Sequence, residues 1–280
     1  MKFKSTLVLP IVALIFILLA CGRQTGTTTT NQPTGSTIVP SGPCYNVLYP
    51  FAEGYQWIYD ITGETGESNQ LGLTVEKVQG SQAKVNALDV STGVVTETIA
   101  ECEDGAIKNY PAIAQSMLIG NAVNSNITIQ YISGIFAPAE DVFVTNDWLY
   151  TWTADYSATG NIQVQEDTGV TTITVQESPV HLTWETAGSG DVAFESVTVK
   201  AGTFEHTLKV VRTMQADITI TSDNESANGT LTLHTTQWFE PYIGLVKSQI
   251  DSGDITSANK TFPLEITGTA ELVEFRPGTP

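Results

Sequence analysis

Few residues in this 280-residue chain could do chemistry: three cysteines and three histidines, set among 30 acidic side chains. Cys21 is the most telling. It closes the run Leu18-Leu19-Ala20-Cys21, a lipobox in which small residues precede a cysteine that is diacylated at sulfur before the chain is cut in front of it. The alternative is an ordinary signal peptide that happens to precede a cysteine. Two or three acyl chains on one sulfur anchor stably, where a single chain would not. With Cys21 consumed, Cys44 and Cys102 remain. In an oxidising compartment two thiols read as one disulfide, with a free reactive thiol or a metal pair as the rival readings.

The histidines give no catalytic signature. His181, His206 and His234 fall on expected strands with no serine, aspartate or cysteine partner at a recognisable spacing. No G-x-S-x-G, H-E-x-x-H or P-loop occurs. A carboxylate pair for glycoside hydrolysis could be drawn from any of 30 acids, so it carries no signal. Asp251-Ser252-Gly253-Asp254 and Glu101-Cys102-Glu103-Asp104 place acids in expected turns, where Ca²⁺ could find oxygen ligands. Neither follows the D-x-[DN]-x-[DN]-G loop, and the solvated-turn reading is preferred. The sequence therefore assigns no catalytic residue, no metal and no cofactor, and the expected protein is not an enzyme.

These residues sit in three segments: a signal peptide over 1–20, a lipidated cysteine and flexible tether over 21–43, and a β domain over 44–280. Lys2 and Lys4 form a positive n-region ahead of an apolar run from Leu7 to Ala20. That run is too short to span a bilayer core, which takes about 20 residues, and matches a secretory signal. Gly22 to Gly42 is rich in Thr, Gly, Pro, Ser and Gln and has no aromatic residue. It cannot bury enough surface to fold. As a flexible coil it reaches roughly 25 Å.

Cleavage before Cys21 leaves ten basic against 30 acidic side chains, a formal charge of -20. Ten scattered cations build no basic stripe for nucleic acid. Anionic head groups repel such a domain, so it should stand off the bilayer. The expected location is the cell membrane or outer membrane, with the domain facing the periplasm or the exterior.

From Tyr45 onward, threonine, valine and isoleucine alternate with period 2 between Asn, Asp and Gly clusters. Tyr55, Trp57 and Tyr59 share one strand face, and Trp148, Tyr150 and Trp152 share another. A hairpin is expected to join 208–222 to 230–239 across Asp223 to Gly229. Only Ile113 to Ala122 has a helical pattern. The fold class is all-β: a single strongly curved antiparallel sheet or open β-barrel with at most one short helix.

Three phrases, in order, resemble a known group. They are Tyr49-Pro50-Phe51-Ala52-Glu53-Gly54-Tyr55-Gln56-Trp57-Ile58-Tyr59, Val197-Thr198-Val199-Lys200-Ala201-Gly202-Thr203-Phe204-Glu205, and Thr236-Gln237-Trp238-Phe239-Glu240-Pro241-Tyr242-Ile243-Gly244-Leu245-Val246-Lys247-Ser248. Over Cys44 to Gln249 the chain is similar to the TapB-like bacterial lipoproteins, loosely related to LolA-like periplasmic carriers. The resemblance implies a secreted, lipid-anchored, curved β-sheet and no catalytic residues. Physically these are folding phrases: Ala201-Gly202 and Glu240 to Gly244 are turns. Trp57 and Trp238 are expected as anchors over the core.

Tyr55, Trp57, Tyr59, Trp148, Tyr150, Trp152 and Trp238 are the candidates to line a ligand cavity, although a filled core also explains them. The leading expectation is an exported, lipid-anchored, non-catalytic envelope lipoprotein that could bind an apolar small molecule in its concave sheet. A structural or adhesive protein meeting an envelope partner, through loops such as Ala112 to Asn126, is second. A hydrolase is third.

Overall fold

β-Branched residues on alternate positions favour extended backbone, because one side chain in two can pack inward while the next meets water. The computed structural model shows that pattern throughout. It describes residues 42–63, 66, 68–111, 122–166, 169–187, 194–222, 225–258, 260–264 and 267–278. The signal segment, Cys21 and the tether up to residue 41 lie outside the described residues. So does most of the helix expected over Ile113–Ala122.

The strands are β1 (Gln56–Gly63), β2 (Ser68–Gln79), β3 (Gln82–Asp89), β4 (Val95–Glu103), β5 (Ala106–Asn109), β6 (Ala122–Ser125) and β7 (Thr128–Gly134). The helix α1 (Glu140–Thr145) follows. Then come β8 (Thr151–Glu166), β9 (Gly169–Thr186), β10 (Phe194–Val199), β11 (Gly202–Ser222), β12 (Glu225–Glu240), β13 (Gly244–Ser257), β14 (Lys260–Leu264) and β15 (Gly268–Arg276).

All of them belong to one antiparallel sheet in the order β5-β4-β3-β2-β1-β15-β13-β12-β11-β9-β8-β6, with β7 on β8, β10 on β11 and β14 on β13. The sheet curls until its ends nearly meet. Residues 135–137 bond to both ends: the Ile135 N–H donates to the Thr153 carbonyl at 2.9 Å, and the Ile107 N–H to the Ala137 carbonyl at 2.8 Å. This seam joins β8 to β5 and turns the curved sheet into a barrel. Gly134 makes the approach possible. At φ 95° a Cβ there would stand 2.3 Å from the Thr153 carbonyl oxygen, so only glycine fits.

One face of each long strand points inward. Trp152, Ala154, Tyr156 and Ala158 on β8, Val180, Leu182 and Trp184 on β9, and Val210, Arg212, Met214 and Ala216 on β11 are all buried. The segment from Cys44 to Tyr55 folds over one end of the barrel as a plug. Asn46, only 1% exposed, organises it. Its amide donates to the carbonyls of Gly105 and Pro138, both at 2.7 Å, while its Oδ1 accepts from the N–H groups of Leu48 and Tyr49. The Cys44–Cys102 disulfide, with Cα atoms 5.0 Å apart, fastens the plug to β4.

Several local expectations are corrected. Ser222 pairs with Glu225, so β12 has already resumed before Gly229. Asp251 to Asp254 belong to β13, where Ile250 before the acids and Ile255-Thr256 after them carry the strand through. Trp148 and Tyr150 precede β8. Asp147 and Trp148 take φ values of 50° and 62° in the turn that leaves α1. That helix escaped a periodicity argument because six residues are less than two turns.

Candidate functional site

The barrel interior is where the aromatic candidates would have to leave space for an apolar ligand. At the plugged end, Tyr49 hangs down from the plug and packs against Phe51, Tyr110, Phe136 and Phe239 with ring centroids 5.1–6.2 Å apart. Phe136 meets Trp184 edge-on at 5.3 Å, and Trp184 stacks on Trp152 at 5.9 Å. Tyr55 and Trp57 pack on Phe275 at 5.5 and 5.7 Å. The polar ends of these rings are spent on the wall: Trp57 Nε1 donates to the Ile243 carbonyl at 2.6 Å, Tyr59 OH to Leu245 at 3.0 Å, and Trp152 Nε1 to Phe136 at 3.0 Å. Tyr55, Trp57, Tyr59 and Trp152 are thus members of one hydrophobic core.

The remaining aromatic candidates lie at the edge of that core or outside it. Trp148 and Tyr150 are half-buried beside α1, where Trp148 stacks on Phe143 at 5.6 Å and meets Phe194 at 5.0 Å. Trp238 faces outward, correcting its expected place over the core. Its neighbours Gln237 and Phe239 take the inward positions. Its register partners Lys209 and Lys247 each hold an ammonium 5.8 Å from its ring centroid, and its indole N–H donates to Glu195. Trp238 fastens β10 to the outer wall.

A polar group, missed by the sequence reading, lies within the aromatic core. Arg212 is buried on β11, donates to Thr235 Oγ1 at 3.3 Å and lies near the Tyr49 hydroxyl. Burial lowers its pKa, while that hydroxyl acts in the opposite sense. Burial also pushes the phenols of Tyr49, Tyr59, Tyr110 and Tyr156 well up, so each stays protonated and none is a base near neutral pH. The signal for Arg212 was its strand phase, two residues from Val210 and Met214.

The histidines do find partners, on the outside. His181 Nδ1 lies 2.6 Å from Asp155 Oδ1, and its Nε2 lies 3.3 Å from Thr183 Oγ1. Ser133 donates to the other Asp155 oxygen at 2.9 Å. The His181 hydrogen bond holds the Asp155 carboxyl below its ordinary range. In connectivity this is a hydroxyl, an imidazole and a carboxylate in a row, the order used in acyl transfer. Catalysis also needs N–H donors at the developing oxyanion. Here β9 pairs with β8 on one side and β11 on the other through this very stretch, so the ladder bonds take up the backbone donors. His234 Nδ1 lies 3.1 Å from Thr213 Oγ1.

A depression of about 550 Å³ opens between β9, β11, β12 and β13, lined by Gln176, Ser178, Asp217, Asn228 and Ser257 among others. Its polar groups bond to one another: Thr219 to Asn228 at 2.9 Å and Thr230 to Asp217 at 3.0 Å. Among the described residues, no group of three or more His, Cys, Asp or Glu could hold a metal ion, and no helix is long and apolar enough to cross a membrane.

No protein-family model matches the chain, and neither does any curated protein. Two solved structures are similar to it. One, described as a "putative exported protein with YmcC-like fold" from Bacteroides fragilis, is 17% identical; the match covers 83% of this chain and 100% of that one at a TM-score of 0.41. The other, described as a "putative lipoprotein" from Parabacteroides distasonis, is 17% identical, with 85% and 100% covered and a TM-score of 0.45. At that distance neither bears on what this chain does.

Proposed function

We propose that this chain is an exported lipoprotein, held by acyl groups on Cys21 in the cell membrane or outer membrane and facing the periplasm or exterior. Its barrel acts through its outer surface as a non-catalytic envelope interaction module. The observation that carries this reading is the filled interior: Tyr49 and the rings around it occupy the space a carrier would keep open. A rigid, packed barrel is suited to present a surface to an envelope partner. The disulfide between Cys44 and Cys102 supports an exported location, because such bonds persist in oxidising compartments.

The test is metabolic labelling with radioactive palmitate, followed by membrane fractionation of the native chain and of Cys21→Ser. Label and membrane association in the native chain, both lost in the variant, are expected. A native chain that carries no label and fractionates as a soluble protein overturns the reading.

A further inference from the structure

Strands β8, β9 and β12 contain no lysine or arginine. On the outer wall, Thr153, Thr183, Thr213, His234 and Ser252 stand in register across β8, β9, β11, β12 and β13. Their chain neighbours Trp152, Trp184, Arg212 and Thr235 are the buried ones. Farther along the same strands, Thr230 stands between Asp217 and Thr256, and Thr219 between Thr174 and Asn228. These rows present hydroxyls, amides, imidazole and carboxylate to solvent, with no aliphatic, aromatic or lysine side chain among them.

The depression of about 550 Å³ opens in this stretch, with Asp217, Thr219, Asn228, Thr230 and Thr256 in its lining. Its hydrogen bonds use half of what the two key side chains offer. Thr230 donates to Asp217 Oδ1 at 3.0 Å, and Thr219 to Asn228 Oδ1 at 2.9 Å. Each bond engages one polar atom and fixes the direction of the other. Asp217 Oδ2, an acceptor, and the Asn228 amide nitrogen, a double donor, remain for a ligand. Asp217 pairs with Thr230, two residues from Asn228, so the two stand diagonally across β11 and β12 with backbones about 7–8 Å apart. Both are exposed. Because the threonines orient them in advance, a ligand meets less ordering cost.

We propose that this depression binds a saccharide unit of a neutral envelope glycan. The inference deepens the reading of an envelope interaction module and rests on it. A sugar carries adjacent hydroxyls, each both donor and acceptor. One can donate to Asp217 Oδ2 while its neighbour accepts from the Asn228 amide. The volume falls within the roughly 300–1,000 Å³ of small-ligand sites. Charge disfavours an anionic polymer, which would meet Asp217 with no cation in these rows, in a protein of net charge -18. A protein partner would bring aromatic and arginine anchors that need apolar pockets. The lining offers them little, since Ile218 is only 4% exposed. Asp217 is the only carboxylate in the lining, too few for Ca²⁺. With no aromatic platform, each saccharide contact is weak, and many membrane-held copies along one polymer supply the avidity.

The experiment uses the mature chain with Cys21→Ser, run in native gels cast with dextran, mannan, galactomannan or, as the anionic control, alginate. Retardation relative to a gel without polysaccharide gives the affinity. At least one neutral polysaccharide is expected to retard the chain and alginate is not, with retardation surviving added salt. The variant D217A/N228A is expected to lose about tenfold in affinity, with unchanged circular dichroism because both side chains are exposed. T219V, which keeps the shape but releases the Asn228 amide, should fall between the two. No retardation by any of the three neutral polysaccharides overturns the proposal. So does retardation by alginate alone, or equal retardation of D217A/N228A. Palmitate labelling of the native chain reports separately on Cys21, so failure of the glycan site and failure of the anchor are told apart.

Discussion

The indoles of Trp152 and Trp184 face each other directly across the ladder between β8 and β9, their planes 7° apart and their centroids separated by 5.9 Å. Each is an ordinary alternate-position residue of its strand. Their stacking fills the barrel where the wall is joined to the seam, since Trp152 donates to the Phe136 carbonyl and Trp184 packs on the Phe136 ring.

Trp184→Ala should therefore cost about 3–5 kcal/mol, as large-to-small changes in packed cores do. Chemical denaturation measures it. A loss under 1 kcal/mol would mean that the interior is loosely filled.

Asn46 makes four hydrogen bonds in the plug, two as donor and two as acceptor. Asn46→Ala strands those partners and should cost about 2–3 kcal/mol. Asn46→Asp keeps the acceptor but cannot donate to Gly105 and Pro138 and buries a charge, so its loss should be at least as large. If Asp were tolerated at neutral pH, the amide would not be organising the plug.

The disulfide closes a loop with a sequence separation of 58. Cys44→Ala with Cys102→Ala should lower stability by about 4 kcal/mol in the chain-entropy picture. Hydrogen exchange should rise first across residues 43–55, because that segment loses its covalent tie to β4. Uniform loosening of all strands would instead make the disulfide a global staple.

Two carboxyls should move stability with pH in opposite senses. Asp60 is held below its ordinary range by hydrogen bonds from Lys200 and then Gln70. Its contribution is present above the unfolded carboxyl value near 3.9 and fades as pH falls through the folded value. Glu240 is raised by burial, so its folded form gains protons before the unfolded chain does, and its penalty is relieved by acid. Melting temperatures between pH 7 and pH 2 should show Asp60→Asn with a flatter acid loss than the native chain. Glu240→Gln should melt higher than the native chain at neutral pH, and that advantage should shrink as acid protonates the native carboxyl. Identical profiles for all three proteins would contradict both assignments.

The β class was readable because alternation survives at nearly every strand. Tyr55, Trp57 and Tyr59 show it plainly, all three on the buried face. Local composition misled where a strand ran through turn-forming residues. Asp251 to Asp254 and Asn228-Gly229 read as loops, yet β13 and β12 carry them because both have neighbours to bond to. Trp238 was misplaced over the core because an aromatic type does not reveal which strand face it occupies. The phase of Gln237 and Phe239 decides that. Closure of the barrel at Ile107 and Ala137 joins residues distant in sequence, and no local pattern announces it. The pairing of His181 with Asp155 escaped for the same reason, since only register across β8 and β9 sets them opposite each other.

The reading proposed above, an acyl-anchored barrel whose described interior is packed with its own side chains, is tested most directly by native mass spectrometry of the chain extracted from membranes. The mass should be that of a chain starting at Cys21 with acyl groups on it and one disulfide, and nothing further should be released on denaturation. A chain without acyl groups, or a small molecule liberated in stoichiometric amount when the barrel unfolds, would contradict it.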